Sequence, residues 1–78
     1  MKDAINKTTA RALIARKRYG KYASPHEILG IIAEELHEAT IEVHANNWPR
    51  FREELLDIAA VCIRGASEVT IREEIDQI

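Results

Sequence analysis

Seventy-eight residues with a formal net charge of −2, 46% of them hydrophobic and 31% charged, make a single domain (residues 1–78) that is small for a self-sufficient core. The slightly acidic balance argues against a general nucleic-acid binder, and no apolar run approaches the roughly 20 residues of a membrane span. Ala, Glu, Ile, Leu and Arg dominate over three Gly and two Pro, so the expected fold class is all-α.

A chain of this size with no disulfide framework commonly gains its missing burial by association, so a homodimer or homotetramer is expected. The single Cys62 lies in an apolar helical pattern without a Cys or His companion and reads as an inert core thiol. One cysteine and no secretory apolar region point to a reducing, cytoplasmic setting.

The first predicted helix covers about Asp3 to Arg18, with Ile5, Thr9, Ala12, Leu13 and Arg16 on one stripe. Arg16, Lys17 and Arg18 crowd its last turn, where cations complement the helix dipole, and Gly20 follows as a natural terminator. Ser24-Pro25-His26-Glu27 is the clearest local signal: a capping Ser, a Pro suited to the first helical position and a Glu able to close a capping box. The second helix should run to about Ala45 with an apolar arc of Ile28, Leu29, Ile32, Leu36, Ala39 and Val43. Ile31, Glu35, Glu38 and Glu42 then form an acidic strip along the border of that arc.

Asn46-Asn47-Trp48-Pro49 carries turn and N-cap chemistry. A third helix is expected from Trp48 to Ala66 or a little beyond, with Phe51, Leu55, Ile58, Cys62 and Ala66 as its main seam. Leu56 and Ile63 fall on a different face, which suits a helix that is central or set against another subunit. Gly65 and Ser67 suggest a break, after which Thr70-Ile71-Arg72-Glu73 could cap a short fourth helix edged by Ile71, Ile75 and Ile78. The alternative is that the third helix runs straight on. The expected architecture is three long helices plus a short C-terminal one.

Two acidic pairs organise this chain. Glu35 with Glu38 and Glu54 with Asp57 each stand at i and i+3, so each pair shares a helix face. Fifteen residues separate Glu38 from Glu54, enough to end one helix, turn and begin an antiparallel partner. No cation lies three or four residues from Glu35 or Glu38, and partly buried carboxylates need compensation. Oxygen-only ligands point to Mg²⁺ or Mn²⁺ rather than zinc, and such an ion can polarise phosphoryl oxygens and activate water. The competing reading is an ordinary Glu-rich helix surface.

Glu34-Glu35-Leu36-His37-Glu38 followed by Glu53-Glu54-Leu55-Leu56-Asp57 resembles the EExxE…ExxD signature of the all-α, MazG-like nucleotide pyrophosphohydrolases, with dimeric dUTPases and dCTP pyrophosphatases as more distant relatives. The likeness extends from about Ser24 to Arg64. It implies a four-helix core completed by association of subunits and Mg²⁺-dependent cleavage of a nucleoside triphosphate to monophosphate and pyrophosphate. Carried over by position, Glu35, Glu38, Glu54 and Asp57 match the metal ligands, and Glu34 and Glu53 the accompanying catalytic acids. His37 departs from the Gly of many members, and the short C-terminus keeps only Arg72 where fuller members have several basic residues. Lys17, Lys21 and Arg64 are the remaining candidates for the phosphate chain, and Trp48 for stacking on a base. Two rivals stay open: a catalytically silent helical interaction module, and a di-iron carboxylate bundle using Glu34 and His37 of two subunits.

Overall fold

The protein, as a computed structural model, is described for residues 1–76, with side chains through Val69. The described residues form three helices: α1 (Lys2–Tyr19), α2 (Pro25–His44) and α3 (Trp48–Asp76). Their ends follow from local chemistry. The α1 terminus is closed by Gly20, whose N–H donates to Arg16 O at 2.9 Å with φ at +73°, a left-handed conformation open to Gly at little cost. At α2 the Ser24 hydroxyl accepts from Glu27 N at 3.2 Å and Glu27 Oε1 accepts from Ala23 N at 3.3 Å, a reciprocal cap of the expected kind. Asn46 takes a positive φ in the turn between α2 and α3. Asn47 Oδ1 then accepts from Arg50 N at 3.3 Å and caps α3.

The predicted break at Gly65 and Ser67 does not occur: α3 is one helix of 29 residues, and no separate fourth helix exists among the described residues. Ser67 spends its hydroxyl inside the helix by donating to Ile63 O at 3.0 Å. Gly65 is retained for space, because a Cβ there would stand 2.9 Å from Ile28 Cγ2. The glycine costs helix propensity, and in return α2 approaches α3 closely at its N-terminal end. The side chains of Ile71, Arg72, Glu73, Ile75 and Ile78 lie outside the described residues.

α3 is central, and α1 and α2 each pack against it without packing on one another. Asp3 meets Arg52 at 3.0 Å near one end and Gly20 O accepts from Arg64 at 3.1 Å near the other, so α1 runs parallel to α3. Ile28 beside Gly65, and Glu38 beside Glu54, make α2 antiparallel to it. The interior is built mostly of small residues, Ala12, Ala39, Ala60 and Thr8 with Gly65, and of one large side chain, Leu56.

The helices are rotated from the faces that their apolar patterns suggested. On α1 the inner face is Thr8, Ala12 and half-buried Arg11, whereas Ile5 and Leu13 face out. On α2 it is Ile28, Ile31, Ile32, Glu35, Ala39 and Glu42, whereas Leu29 is 64% and Leu36 58% exposed. On α3 Leu56 is buried, while Leu55 and Ile63 are about half exposed. Cys62, expected in the core, is also exposed.

The outward residues are not scattered. Leu29, Leu36 and Val43 on α2, and Leu55, Cys62 and Val69 on α3, both recur every seven residues. By helical rotation both stripes fall on the flank of the α2–α3 contact opposite Glu38 and Asp57. The pair of helices thus has an acidic front and an apolar back. Among the described residues no helix is long and apolar enough to cross a membrane.

Candidate functional site

The burial of Glu35 and Glu42 on the inner face of α2 brings the acidic strip to the middle of the α2–α3 contact, deeper than the border position expected. One oxygen from each of Glu35, Glu38 and Glu54 lies within 4.8 Å of the others. Among the described residues this is the one group of acids, His or Cys gathered so closely. Oε2 of Glu35 and Oε2 of Glu54 are both buried without a hydrogen-bond partner. Orphaned carboxylate oxygens are costly, and the cost is relieved by a proton or a cation.

The electrostatics agree with the geometry. Burial, the Glu54 carboxyl beside it and the charges of Glu38, Glu54 and Asp57 push Glu35 up to about 7. Glu38 is also raised, chiefly by the charge of Glu54, then by desolvation. A carboxyl raised on folding holds a proton that the unfolded chain has released. Glu35 therefore contributes stability below its ordinary value of 4.5 that is lost as the pH climbs toward about 7. Thermal unfolding in a metal-free chelating buffer should show a falling midpoint across that window, and millimolar Mg²⁺ should flatten the fall. A midpoint that rises steadily to neutrality contradicts the crowding of the three acids.

Asp57 and Glu53 are drawn to a different partner. Arg11 of α1 donates Nη1 to Asp57 Oδ1 at 2.9 Å and to Glu53 O at 3.1 Å, and its Nη2 pairs with Glu53 Oε2. Asp57, matched to the fourth ligand, consequently stands outside the group of three. Glu53 is held below the usual carboxylate range, first by its Arg11 hydrogen bond. Local spacing could not reveal Arg11 as the partner of Glu53 and Asp57, because it comes from 42 and 46 residues away. Glu34 is exposed, makes no ion pair among the described residues, and its charge adds to the rise at Glu38.

The other candidates are dispersed. Lys17 is exposed at the end of α1. Lys21 and Arg64 line a cleft beside the α1–α2 loop. Trp48 sits edge-on to Phe51 with ring centroids 6.3 Å apart and remains half exposed. His37 is exposed and lies outside the acid group. Besides Arg11, Arg50 was not among the candidates: with Glu38, Ile41, Glu42 and Glu54 it lines an open cleft of about 290 Å³ on the front face. Its position two residues after the Trp48 helix start, one turn before Glu54, was the available signal. Comparison of the chain with protein-family models, curated proteins and solved structures returned no match.

Proposed function

We propose that this protein is a metal-dependent nucleoside triphosphate pyrophosphohydrolase that yields a nucleoside monophosphate and pyrophosphate. The observation that carries the reading is the trio of Glu35, Glu38 and Glu54 oxygens within 4.8 Å, two of these carboxylates each keeping a buried oxygen without a partner. An oxygen-only donor set with orphaned lone pairs suits a hard divalent cation, Mg²⁺ or Mn²⁺. Glu35, Glu38 and Glu54 would hold it, and Asp57 would join them at the expense of its Arg11 bond. The ion supplies charge neutralisation and polarisation of phosphoryl oxygens.

The remaining chemistry belongs to the chain. The oxygen of water bonds to the α-phosphorus, the α–β bridging bond breaks, and pyrophosphate leaves with the electron pair. Glu34, exposed beside Glu38, accepts the water proton. Glu53 is a weaker base because Arg11 holds its charge, so it acts as an anchor for that guanidinium. Arg50 at the open cleft supplies positive charge on the solvent side.

The apolar back supports a homodimer or homotetramer as the working form. The accessible surface of the chain is 5942 Å², against roughly 4,800 Å² for a folded monomer of this mass. Pairing two α2–α3 units through their seven-residue stripes gives four helices around one apolar core.

The test is a panel of ribo- and deoxynucleoside triphosphates with Mg²⁺, assayed for pyrophosphate and monophosphate, with chelated controls. Metal-dependent pyrophosphate release from at least one of them is expected. Single phosphate as the product, or no turnover by the folded protein in Mg²⁺ or Mn²⁺, overturns the reading and leaves a silent helical module.

A further inference from the structure

The α1–α2 loop and the neighbouring faces of α2 and α3 enclose a cleft of about 350 Å³, lined by Lys21, Tyr22, Glu27, Ile31, Val61 and Arg64 among others. Arg64 is fixed in its wall. Its Nη2 donates to Gly20 O at 3.1 Å, and its guanidinium carbon lies 4.3 Å from the centre of the Tyr22 ring. The Arg64 Nε and the Tyr22 hydroxyl are nevertheless buried with no hydrogen-bond partner. The phenol oxygen can accept from the neighbouring guanidinium, but neither group has a partner in good geometry, an expense that a folded chain seldom carries for packing alone.

The charges around the cleft point the same way. Lys21 makes no ion pair among the described residues, so it adds a second positive charge. The one acid of the lining, Glu27, is engaged with Ala23 N at the start of α2. Glu68, nearby, is engaged through both oxygens with Tyr22 N at 3.2 Å, which fixes the loop against α3. The donors left over are a planar guanidinium edge, an ammonium and a phenol. That set suits an anion with several acceptor oxygens in three dimensions.

The position links this cleft to the acids. Ile31 stands one turn before Glu35 on α2, and Val61 one turn after Asp57 on α3. The cleft therefore opens on the same α2–α3 groove: its Ile31 edge is about 6 Å along α2 from Glu35, and Arg64 is about 15 Å along α3 from Glu54.

We propose that this cleft is an oxyanion subsite for the phosphoryl end of a polyphosphate ligand, with Arg64, Lys21 and the Tyr22 hydroxyl as its donors. Its assignment to a nucleotide rests on the pyrophosphohydrolase reading, whereas the anion site rests on the cleft itself. The experiment is a titration of the full chain with inorganic tripolyphosphate in chelating, metal-free buffer, followed through the amide resonances of residues 20–22 and the Arg64 Nε–H. Citrate serves as the carboxylate comparison.

Saturable shifts at those resonances are expected. Arg64→Met and the exposed-site variant Lys21→Met should each weaken binding roughly tenfold or more, while Lys2→Met, exposed at the far end of α1, does not weaken it. Equal affinity in both basic-residue variants, or shifts confined to other residues, overturns the proposal. Citrate binding as tightly as tripolyphosphate overturns the phosphoryl assignment. Localised tripolyphosphate binding without release of pyrophosphate from any nucleotide leaves the subsite standing and removes the hydrolase. Turnover without such binding does the reverse.

Discussion

Replacing Glu54 by Gln should stabilise the metal-free protein and abolish pyrophosphate release, and the two effects have one cause. Glu54 is the member of the acid trio that raises both Glu35 and Glu38. Gln keeps its shape, removes a charge from a group whose oxygens lie within 4.8 Å of one another, and brings an amide donor to the unpartnered Glu35 oxygen. Relief of like-charge crowding at a partly solvated site amounts to about 1 kcal/mol. For a domain of this size that is a rise of about 4–8 °C in the unfolding midpoint.

Excess Mg²⁺ should invert the order. With the proposed metal bound, the wild-type chain should gain stability in proportion to the logarithm of metal concentration over its dissociation constant, and the variant should lose that gain. Release of pyrophosphate should fall by about a thousandfold or more, because a missing ligand removes charge stabilisation where it matters most. Calorimetric melts with and without metal, beside a pyrophosphate assay, check all three statements. A variant that is less stable without metal and still turns over refutes the assignment of Glu54.

The second large effect is expected on the opposite side of the molecule. Leu36 is 58% exposed in the single chain, so changing it to Arg costs little if the protein works as a monomer. If the apolar back is an interface, the same change buries an unpaired charge at its centre and costs several kcal/mol. Leu36→Arg should then halve or quarter the mass measured by light scattering and lower the unfolding midpoint. That midpoint should also lose its dependence on protein concentration. Cys62 offers an internal reporter, since its thiol lies on the same face. It should react slowly with a thiol reagent in the wild-type protein and quickly in the variant. Unchanged mass together with fast thiol labelling of the wild-type chain means that the face is open to water.

Much of the helical plan was written in local chemistry. The Ser24 cap, the Gly20 terminator and the two-Asn turn each rest on a few adjacent residues, and each stands where the sequence placed it. The facing of the helices was less legible. Apolar residues surround too much of α2 and α3 for three helices to bury, so the periodicity alone could not say which arc faces α3 and which faces away. Leu56 and Ala39 turned inward, while Leu36 and Leu55 turned out.

The same ambiguity governed the site. The i, i+3 spacing brought Glu35 and Glu38 together and the antiparallel hairpin delivered Glu54 to them. Asp57 was claimed by Arg11, a partner that no local window contains. The straight course of α3 had a similar origin, since the reason for Gly65 is the side chain of Ile28 on another helix.

The hairpin of α2 and α3 is held at both of its ends. One end is the tight Asn46–Asn47 turn, where Asn47 N donates to Glu42 O at 2.9 Å. The other is the close seat of Ile28 against Gly65, with Glu68 gripping the loop beyond it. The crowded carboxylates sit at mid-span, like a load on a beam fixed at both supports. Their repulsion has no hinge to open, so it is relieved at the carboxylates themselves, by the proton that Glu35 keeps toward neutral pH, rather than by a change of shape.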